Sequence, residues 1–503
     1  MRDETSIGVE FDTPVNDLLL QVIAAIFRQN IRCCYWKSSA RLPAALAGET
    51  DLDLLVSRHD QHRLQVCLLE NGLKLFPTVA SRSDPAMTSY LGYDEPSGLI
   101  VHVHVHTRVV SGYRLLSEYR LPWAETILEH SVPHPRFPVN VPDQATEAVL
   151  LITRGLIELR RSDPVAAANW DAMRRKFDTD RRALAARVDP ALLRVRGADL
   201  LGEPIAERLA AALTDRVPLE RQHALRRLVR QQLAPHRAFN SIETTARAVA
   251  RAVSWAAGAL NQRYLHLPRP LHRVAPGGGI VVALMGVDGS GKSTAVAGLN
   301  RWLGAEVDTM PIYFGTGDGR PSLILLPLKL MVPLFTRLTS SRPRGSSHGN
   351  VSHRPPGLIY GLLLTLWSVA LAIEKRHKLL RAHRAAERGM VVVADRFPQD
   401  QFASFNDGPL LPRLKRVPRW LRQFEASAYE LSRRVPPDLV IKLTASPHLI
   451  AKREPAMNRD VIRQRTSELQ MLTYPESTVV CIDAAQPLDS VFRQIRNEVW
   501  RHL

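Results

Sequence analysis

Cysteine is scarce in this chain of 503 residues. The four present, Cys33, Cys34, Cys67 and Cys481, form no CxxC pair and show no metal-ligand spacing. That excludes a disulfide framework and a zinc ribbon, and it suits free thiols of a reducing compartment. The opening MRDETSIGVEFDT lacks the apolar core of a signal peptide, so a cytoplasmic location is expected. Acidic residues are also short: 49 Asp and Glu face 67 Lys and Arg, for a net charge of +18. The excess is local. Arg320–Arg388 holds twelve Lys and Arg against Glu374 and Glu387 alone. No aromatic interleaving and no DNA-binding motif accompany it, which argues against nucleic acid and leaves anionic substrates or an anionic membrane surface. Long apolar runs are few. Gly357–Ile373 is uncharged for 17 residues, at the lower edge of a membrane span. A buried core helix, a membrane-surface contact backed by Lys375, Arg376, Lys378, Arg381 and Arg384, and a true span all stay open. Leu323–Leu338 is broken by Pro327, Lys329, Pro333 and Arg337.

What is present is concentrated in Ile280–Thr294, IVVALMGVDGSGKST. An apolar run leads at once into Gly286, Val287, Asp288, Gly289, Ser290, Gly291, Lys292, Ser293 and Thr294, the P-loop pattern of strand, glycine-rich turn and helix start. The glycines let backbone N–H groups close on phosphate oxygens, and the helix adds its positive N-terminal dipole. Lys292 can reach the β- and γ-phosphates and Ser293 can hold Mg²⁺, so ATP and Mg²⁺ are the expected ligands.

Length calls for two or three domains. Residues 1–135 mix helix, expected at Asp17–Gln29, with strands at Leu52–Val56 and Ile100–Val110. Residues 136–270 read as helical, broken at Asp189-Pro190 and Pro235. His266–Gly279 carries three prolines and three glycines and reads as a linker. From 278 to 503, the runs Ile280–Met285, Met390–Ala394, Leu439–Leu443 and Val479–Ile482 alternate with helical segments. The chain is therefore α/β, with a C-terminal parallel sheet flanked by helices on both faces, an N-terminal α+β domain and a helical middle.

Two further elements carry C-terminal chemistry. MVVVADRFP brings Asp395 to the end of a buried strand, where it can hold Mg²⁺, with Arg396 able to fork onto a phosphate. After Thr444 come Lys452, Arg453, Arg459, Arg463 and Arg465, cations suited to closing over phosphates or simply to a solvated face. GVDGSGKST, ADRF, the arginine-rich segment and VVCIDAAQPLDSVFRQIRNEVWRHL together resemble the thymidylate kinase family of nucleoside-monophosphate kinases. The resemblance implies an ATP- and Mg²⁺-dependent phosphotransferase in which Asp288 stands near the acceptor sugar. It puts Asp395 and Arg396 at the metal and acceptor phosphate, Arg453, Arg459 and Arg463 among the lid arginines, and Asp483–Ala485 along the adenine. The family's Asp-Arg-Glu element is absent; Tyr313 and its neighbours stand there instead. The acceptor is expected to be a nucleoside monophosphate or a phosphorylated sugar.

In YWKSSARLPAALAGETDLDLLV, Asp51 and Asp53 lie two apart on a strand and face one way. Two such carboxylates can share a divalent ion. The segment, with Lys37-Ser38-Ser39 before it, is similar to the nucleotidyltransferase superfamily over Asn30–Val110. In that superfamily a third carboxylate stands on a later strand, in an Asp-x-His-x-Arg pattern; here His104-Val-His106-Thr-Arg108 stands instead, with a histidine at the carboxylate position. His102, His104 and His106 share one strand face, opposite Val101, Val103 and Val105. They suit a transition metal, a phosphate-lined site or a half-buried face. With Asp51, Asp53 and His104 as ligands, Mn²⁺ or Zn²⁺ is favoured over Mg²⁺. A homodimer and peripheral contact with an anionic membrane are left open. The alternative to catalysis is a nucleotide-binding regulatory or scaffold protein of polysaccharide synthesis at the membrane surface.

Overall fold

The computed structural model describes residues 15–80, 83–84, 86–112, 116–215, 217–315, 358–402, 409–414 and 417–503. The Leu323–Leu338 run and all of residues 320–357 lie outside the described residues, as do residues 403–408. The chain is α/β and divides into two compact units, Met1–Ala259 and Leu260–Leu503.

The first unit is built on a five-stranded sheet: β1 (Cys33–Tyr35), β2 (Leu52–Val56), β3 (Lys74–Leu75), β4 (Met87–Asp94) and β5 (Leu99–His106), in the order β1-β2-β5-β4-β3. Only β2 and β5 run parallel, with Asp53 level with His104. The strand expected to run to Val110 stops at His106, and Val109–Ser111 (β6) pairs instead with Tyr119–Leu121 (β7). A second ribbon joins Ser131–Pro133 (β8) to Asn140–Pro142 (β9). One face of the sheet packs Leu52, Leu54, Val101, Val103 and Val105 against Leu19, Val22 and Ile23 of the Asp17–Arg28 helix. Asn16 caps that helix by accepting from the Leu19 amide, which satisfies one of its free N–H groups. On the other side, Trp36 and Leu55 join a core made by the helical segment, chiefly Gln144–Glu158 and Trp170–Ala185. The three N-terminal cysteines are buried and all four are free thiols.

The second unit is an all-parallel sheet: β10 (Val281–Gly286), β11 (Thr309–Tyr313), β12 (Val391–Asp395), β13 (Leu439–Thr444) and β14 (Thr478–Asp483), in the order β11-β12-β10-β13-β14. β10 and β12 are buried throughout, as their near-continuous Val, Ala and Leu demand of strands covered on both faces. Helices Lys292–Gly304 and Leu488–His502 pack on each other and on the sheet; Leu358–Glu387, Arg419–Arg434 and Arg459–Met471 form the other set. The Pro- and Gly-rich 266–279 segment is not a loose linker. Its Leu271 and His272 amides donate to the buried Asp308 carboxylate at 2.8 and 2.6 Å, and Ala275 N–H donates to Gly389.

The apolar run 357–373 supplies the first half of the Leu358–Glu387 helix, which packs on Arg419–Arg434. Ser368, Leu371 and Ala372 are buried there while Leu362 and Leu366 stay exposed. No helix among the described residues is long and apolar enough to cross a membrane. The cations after it bind within the unit: Lys375 donates to the Tyr429 hydroxyl at 2.7 Å, Arg376 to Ser427 at 2.8 Å and Lys378 to the Tyr313 carbonyl at 2.7 Å.

One glycine fixes how closely the first helix set can pack. A Cβ on Gly298 would lie 2.1 Å from the Phe492 ring, so only glycine lets the two helices meet there. Gly298→Val is expected to destabilise the protein by about 1–3 kcal/mol. In a Phe492→Ala background that loss should largely vanish. Denaturation midpoints of the four proteins of this cycle test it, and an equal loss in both backgrounds would refute the contact.

Candidate functional sites

In the second unit the strand register assembles the site. β10 and β12 end at the same sheet edge, with Leu284 level with Asp395. The turn after β10 is the P-loop. Gly289 and Gly291 take φ of +82° and +89°, conformations that cost any other residue. A Cβ on Gly286 would fall 2.4 Å from Ser290 Oγ. The Lys292–Gly304 helix starts there, so its free N–H groups face the loop. Lys292 is 5% exposed and its ammonium donates to the Val287 carbonyl at 2.9 Å. Burial, helped by the Arg396 charge, pulls its pKa down to about 8.

Ser293 Oγ lies 3.4 Å from Asp395 Oδ2. Asp395 Oδ1 is buried with no hydrogen-bond partner among the described residues, and burial raises the carboxyl's pKa despite Lys292 and Arg396 nearby. A hydroxyl, a carboxylate and an unsatisfied buried oxygen side by side are the donor set of a hard divalent cation, so Mg²⁺ fits these residues.

Asp288 gathers the remaining charge. Its carboxylate meets Arg396 at 2.6 Å, Arg465 at 3.2 Å and Lys292 at 3.6 Å. Burial opposes ionisation, but these three cations outweigh it and hold the carboxyl below its ordinary pKa. Arg396 sits at φ +69°, a left-handed conformation rare for a side-chain-bearing residue, while its N–H donates to Leu284. Arg453 donates to the carbonyls of Gly289, at 3.3 Å, and Ala484, at 3.1 Å, tying the P-loop to the turn after β14. Arg459 and Arg463 are exposed on the first turns of the Arg459–Met471 helix, Arg463 at 3.4 Å from Asp460. Arg465 is the arginine of that helix brought to the P-loop. No spacing rule separates it from its neighbours: which side of the helix faces the loop is set by Ile462, Thr466 and Leu469 packing inward.

In the first unit, the β2–β5 pairing brings the aspartates and histidines together. Asp51 Oδ1 lies 2.7 Å from His102 Nδ1, and Asp51 Oδ2 lies 3.6 Å from His104 Nδ1. Asp53 Oδ1 lies 3.4 Å from His104 Nδ1 and 3.0 Å from His106 Nε2. Lys37 sits on the same Asp53 oxygen at 2.6 Å. Burial works against both carboxylates, yet His102 and His104 bring Asp51 down to about 2, and Lys37 with His104 and His106 brings Asp53 well down. Burial pushes His106 to about 4, against the pull of Asp53, leaving a neutral ring.

A cavity of about 230 Å³ opens beside this cluster. Its far wall comes from the helical segment: Glu147, Arg154 and Glu158 on one helix, Lys176 and Asp180 on another. The spacing of 147, 154 and 158 puts three charges on one face of an otherwise apolar helix, a signal the sequence does carry. Arg154 pairs with Glu158 at 3.0 Å and Arg41 with Asp180 at 3.2 Å.

No family model matches the chain. YghS of Escherichia coli K12, described as an uncharacterized ATP-binding protein, is 29% identical over 217 residues, which make up 42% of this chain and 89% of that protein. YghR of the same strain, described the same way, is 25% identical over 225 residues, 44% of this chain and 86% of the relative. Each match spans most of the relative and under half of this chain.

Asp288→Asn leaves Arg396, Arg465 and Lys292 to repel one another. A loss of about 2 kcal/mol is expected, below the roughly 3–5 of a fully buried broken pair because the side chain is 20% exposed. Sulfate should return more stability to Asp288→Asn than to wild type, by supplying the missing negative charge. Thermal melts in sulfate and in chloride at matched ionic strength measure this; equal gains in the two proteins would rule the charge cluster out.

Proposed function

We propose that Leu260–Leu503 is an ATP-dependent phosphotransferase acting on a nucleoside monophosphate or a phosphorylated sugar. The observation that carries the reading is Ser293 Oγ set 3.4 Å from Asp395, whose other oxygen is buried and has no partner among the described residues, at the foot of a P-loop with Lys292 buried inside it. The relatives' description as ATP-binding proteins supports the nucleotide half of the reading.

In this reading the P-loop amides and the helix N-terminus bind the β- and γ-phosphates. Lys292 places its charge where negative charge develops during transfer, and a bound phosphate chain restores the proton that burial disfavours. Ser293 and Asp395 hold Mg²⁺, which neutralises phosphate charge when bound. Arg396 and Arg465 face each other across Asp288, and their guanidinium forks suit the phosphate of the acceptor. Asp288 keeps both guanidiniums in place until that phosphate arrives. Arg453 bridges Gly289 and Ala484 and holds the loop against the turn that the nucleotide base would line.

Lys292→Ala is expected to lower the rate of transfer by about 10²–10³ or more, the effect of losing a preorganised charge in a transition state. Arg396→Gly suits the left-handed backbone and removes the fork. It should raise KM for the acceptor and leave KM for ATP nearly unchanged. Purified protein, radiolabelled ATP and a panel of nucleoside monophosphates and sugar phosphates provide the assay. Tight ATP binding with no transfer to any acceptor would replace the enzyme reading with a nucleotide-binding scaffold. Loss of ATP affinity in Arg396→Gly would overturn the acceptor role.

A further inference from the structure

We infer that the first unit holds a transition-metal site whose place is kept by Lys37, and that filling it turns the adjoining cavity into an oxyanion site. The donors are Asp53, His104 and His106, with Asp51 reaching the same imidazole from the open side. The ligand atoms of Asp53, His104 and His106 all lie within 4.8 Å of one another; Asp51 belongs to a second such set, with His102, that shares His104. Within the Asp53 set, the separations of 3.0 and 3.4 Å bracket the edge of about 3.3 Å expected between tetrahedral ligands with bonds of about 2.0 Å. Two imidazoles with carboxylate favour Zn²⁺, Co²⁺ or Mn²⁺ over Mg²⁺. The set is organised before any ion binds: Asp53 and His106 are nearly wholly buried, and β2 and β5 are locked in register beneath them.

Lys37 occupies the position an ion would take. Its ammonium lies 2.6 Å from Asp53 Oδ1, the oxygen that both His104 and His106 approach. A divalent ion bound there repels the ammonium and draws away the electron density that holds it, so binding displaces Lys37. Lys37 also lines the cavity, together with Arg41, Arg154 and Lys176. Burial and the charges of Arg41, Arg154 and Lys37 push the Lys176 ammonium down to about 8, a sign of a crowded positive field. Arg41 and Arg154 already have carboxylate partners, so the freed Lys37 is a new cation facing the cavity. Without the ion, Asp51 and Asp53 present negative charge to the same space and repel an anion. With it, the wall turns positive and Lys37 is released toward the anion. Metal and oxyanion therefore strengthen each other's binding, and by linkage the effect is equal in both directions.

The test titrates Co²⁺ into the full chain with Mg²⁺ in excess to occupy the P-loop, reading visible absorption. Sulfate, a dianion that chelates cobalt only weakly, is the anion probe. Nitrogen-ligated cobalt bands are expected that excess Mg²⁺ does not remove and that His104→Gln abolishes. In wild type, sulfate should tighten Co²⁺ binding roughly fivefold or more. Lys37→Met should bind Co²⁺ more tightly than wild type without sulfate and lose most of the sulfate effect. Bands that persist in His104→Gln, or no sulfate effect in wild type, would overturn the inference. So would Co²⁺ binding in a folded Lys37→Met no tighter than in wild type.

Discussion

The parallel pairing of β10 with β12 brings Asp395 and Arg396 to the P-loop, and the second unit's site depends on it. Both strands run to the same sheet edge, one ending in the P-loop and the other in Asp395 and Arg396. A slip of one residue would turn Asp395 to the opposite face and part it from Ser293. The register is held by burial: both strands are covered throughout, so the all-apolar run from Val281 to Met285 and Val391 to Ala394 has no solvated face to which it could turn. Asp395 is the first charged residue on β12, and it appears where the strand leaves the core. Lys442 is the exception inside β13; its ammonium reaches the Leu472 and Gln470 carbonyls and anchors the C-terminus of the helix that carries Arg465.

The two units handle buried charge with opposite sign. In the second, one carboxylate, Asp288, gathers two arginines and a lysine. In the first, two carboxylates are surrounded by three imidazoles and Lys37. In each arrangement opposite charges pair within the protein, and each has a partner that a ligand of matching charge could replace. A phosphate can take the guanidiniums from Asp288; a metal ion can take Asp53 from Lys37. Buried charges kept in pairs of this kind are costly for stability compared with apolar packing, which is why they concentrate at sites rather than in the core.

In the described part of the basic stretch, from Leu358 on, a count of charges is not a count of outward-facing cations. Along Leu358–Glu387, Lys375, Arg376, Lys378 and Arg381 reach a tyrosine hydroxyl, a serine and backbone carbonyls of the same unit, while Arg384 is exposed. Net charge is a property of composition; whether a cation faces outward depends on which helix face is packed. The apolar 357–373 run likewise divides into a buried and an exposed side only once Arg419–Arg434 lies against it.

The sequence alone determined the local features that need no distant partner. The P-loop is legible because glycine, lysine and serine at fixed spacing are required by one tight turn. The strands are legible because parallel sheet burial demands continuous apolar runs, and Asp51, Asp53 and the histidines share faces because a strand repeats every two residues. Tertiary structure decided what lies opposite what. It alone set Asp53 level with His104 and put Lys37 on the same oxygen. It alone chose Arg465 to reach Asp288 while leaving Arg459 exposed, and brought Arg154 and Asp180 to a cavity wall some hundred residues along the chain from Asp53. These contacts rest on pairing and packing between segments far apart in sequence, and short-range spacing carries no record of them.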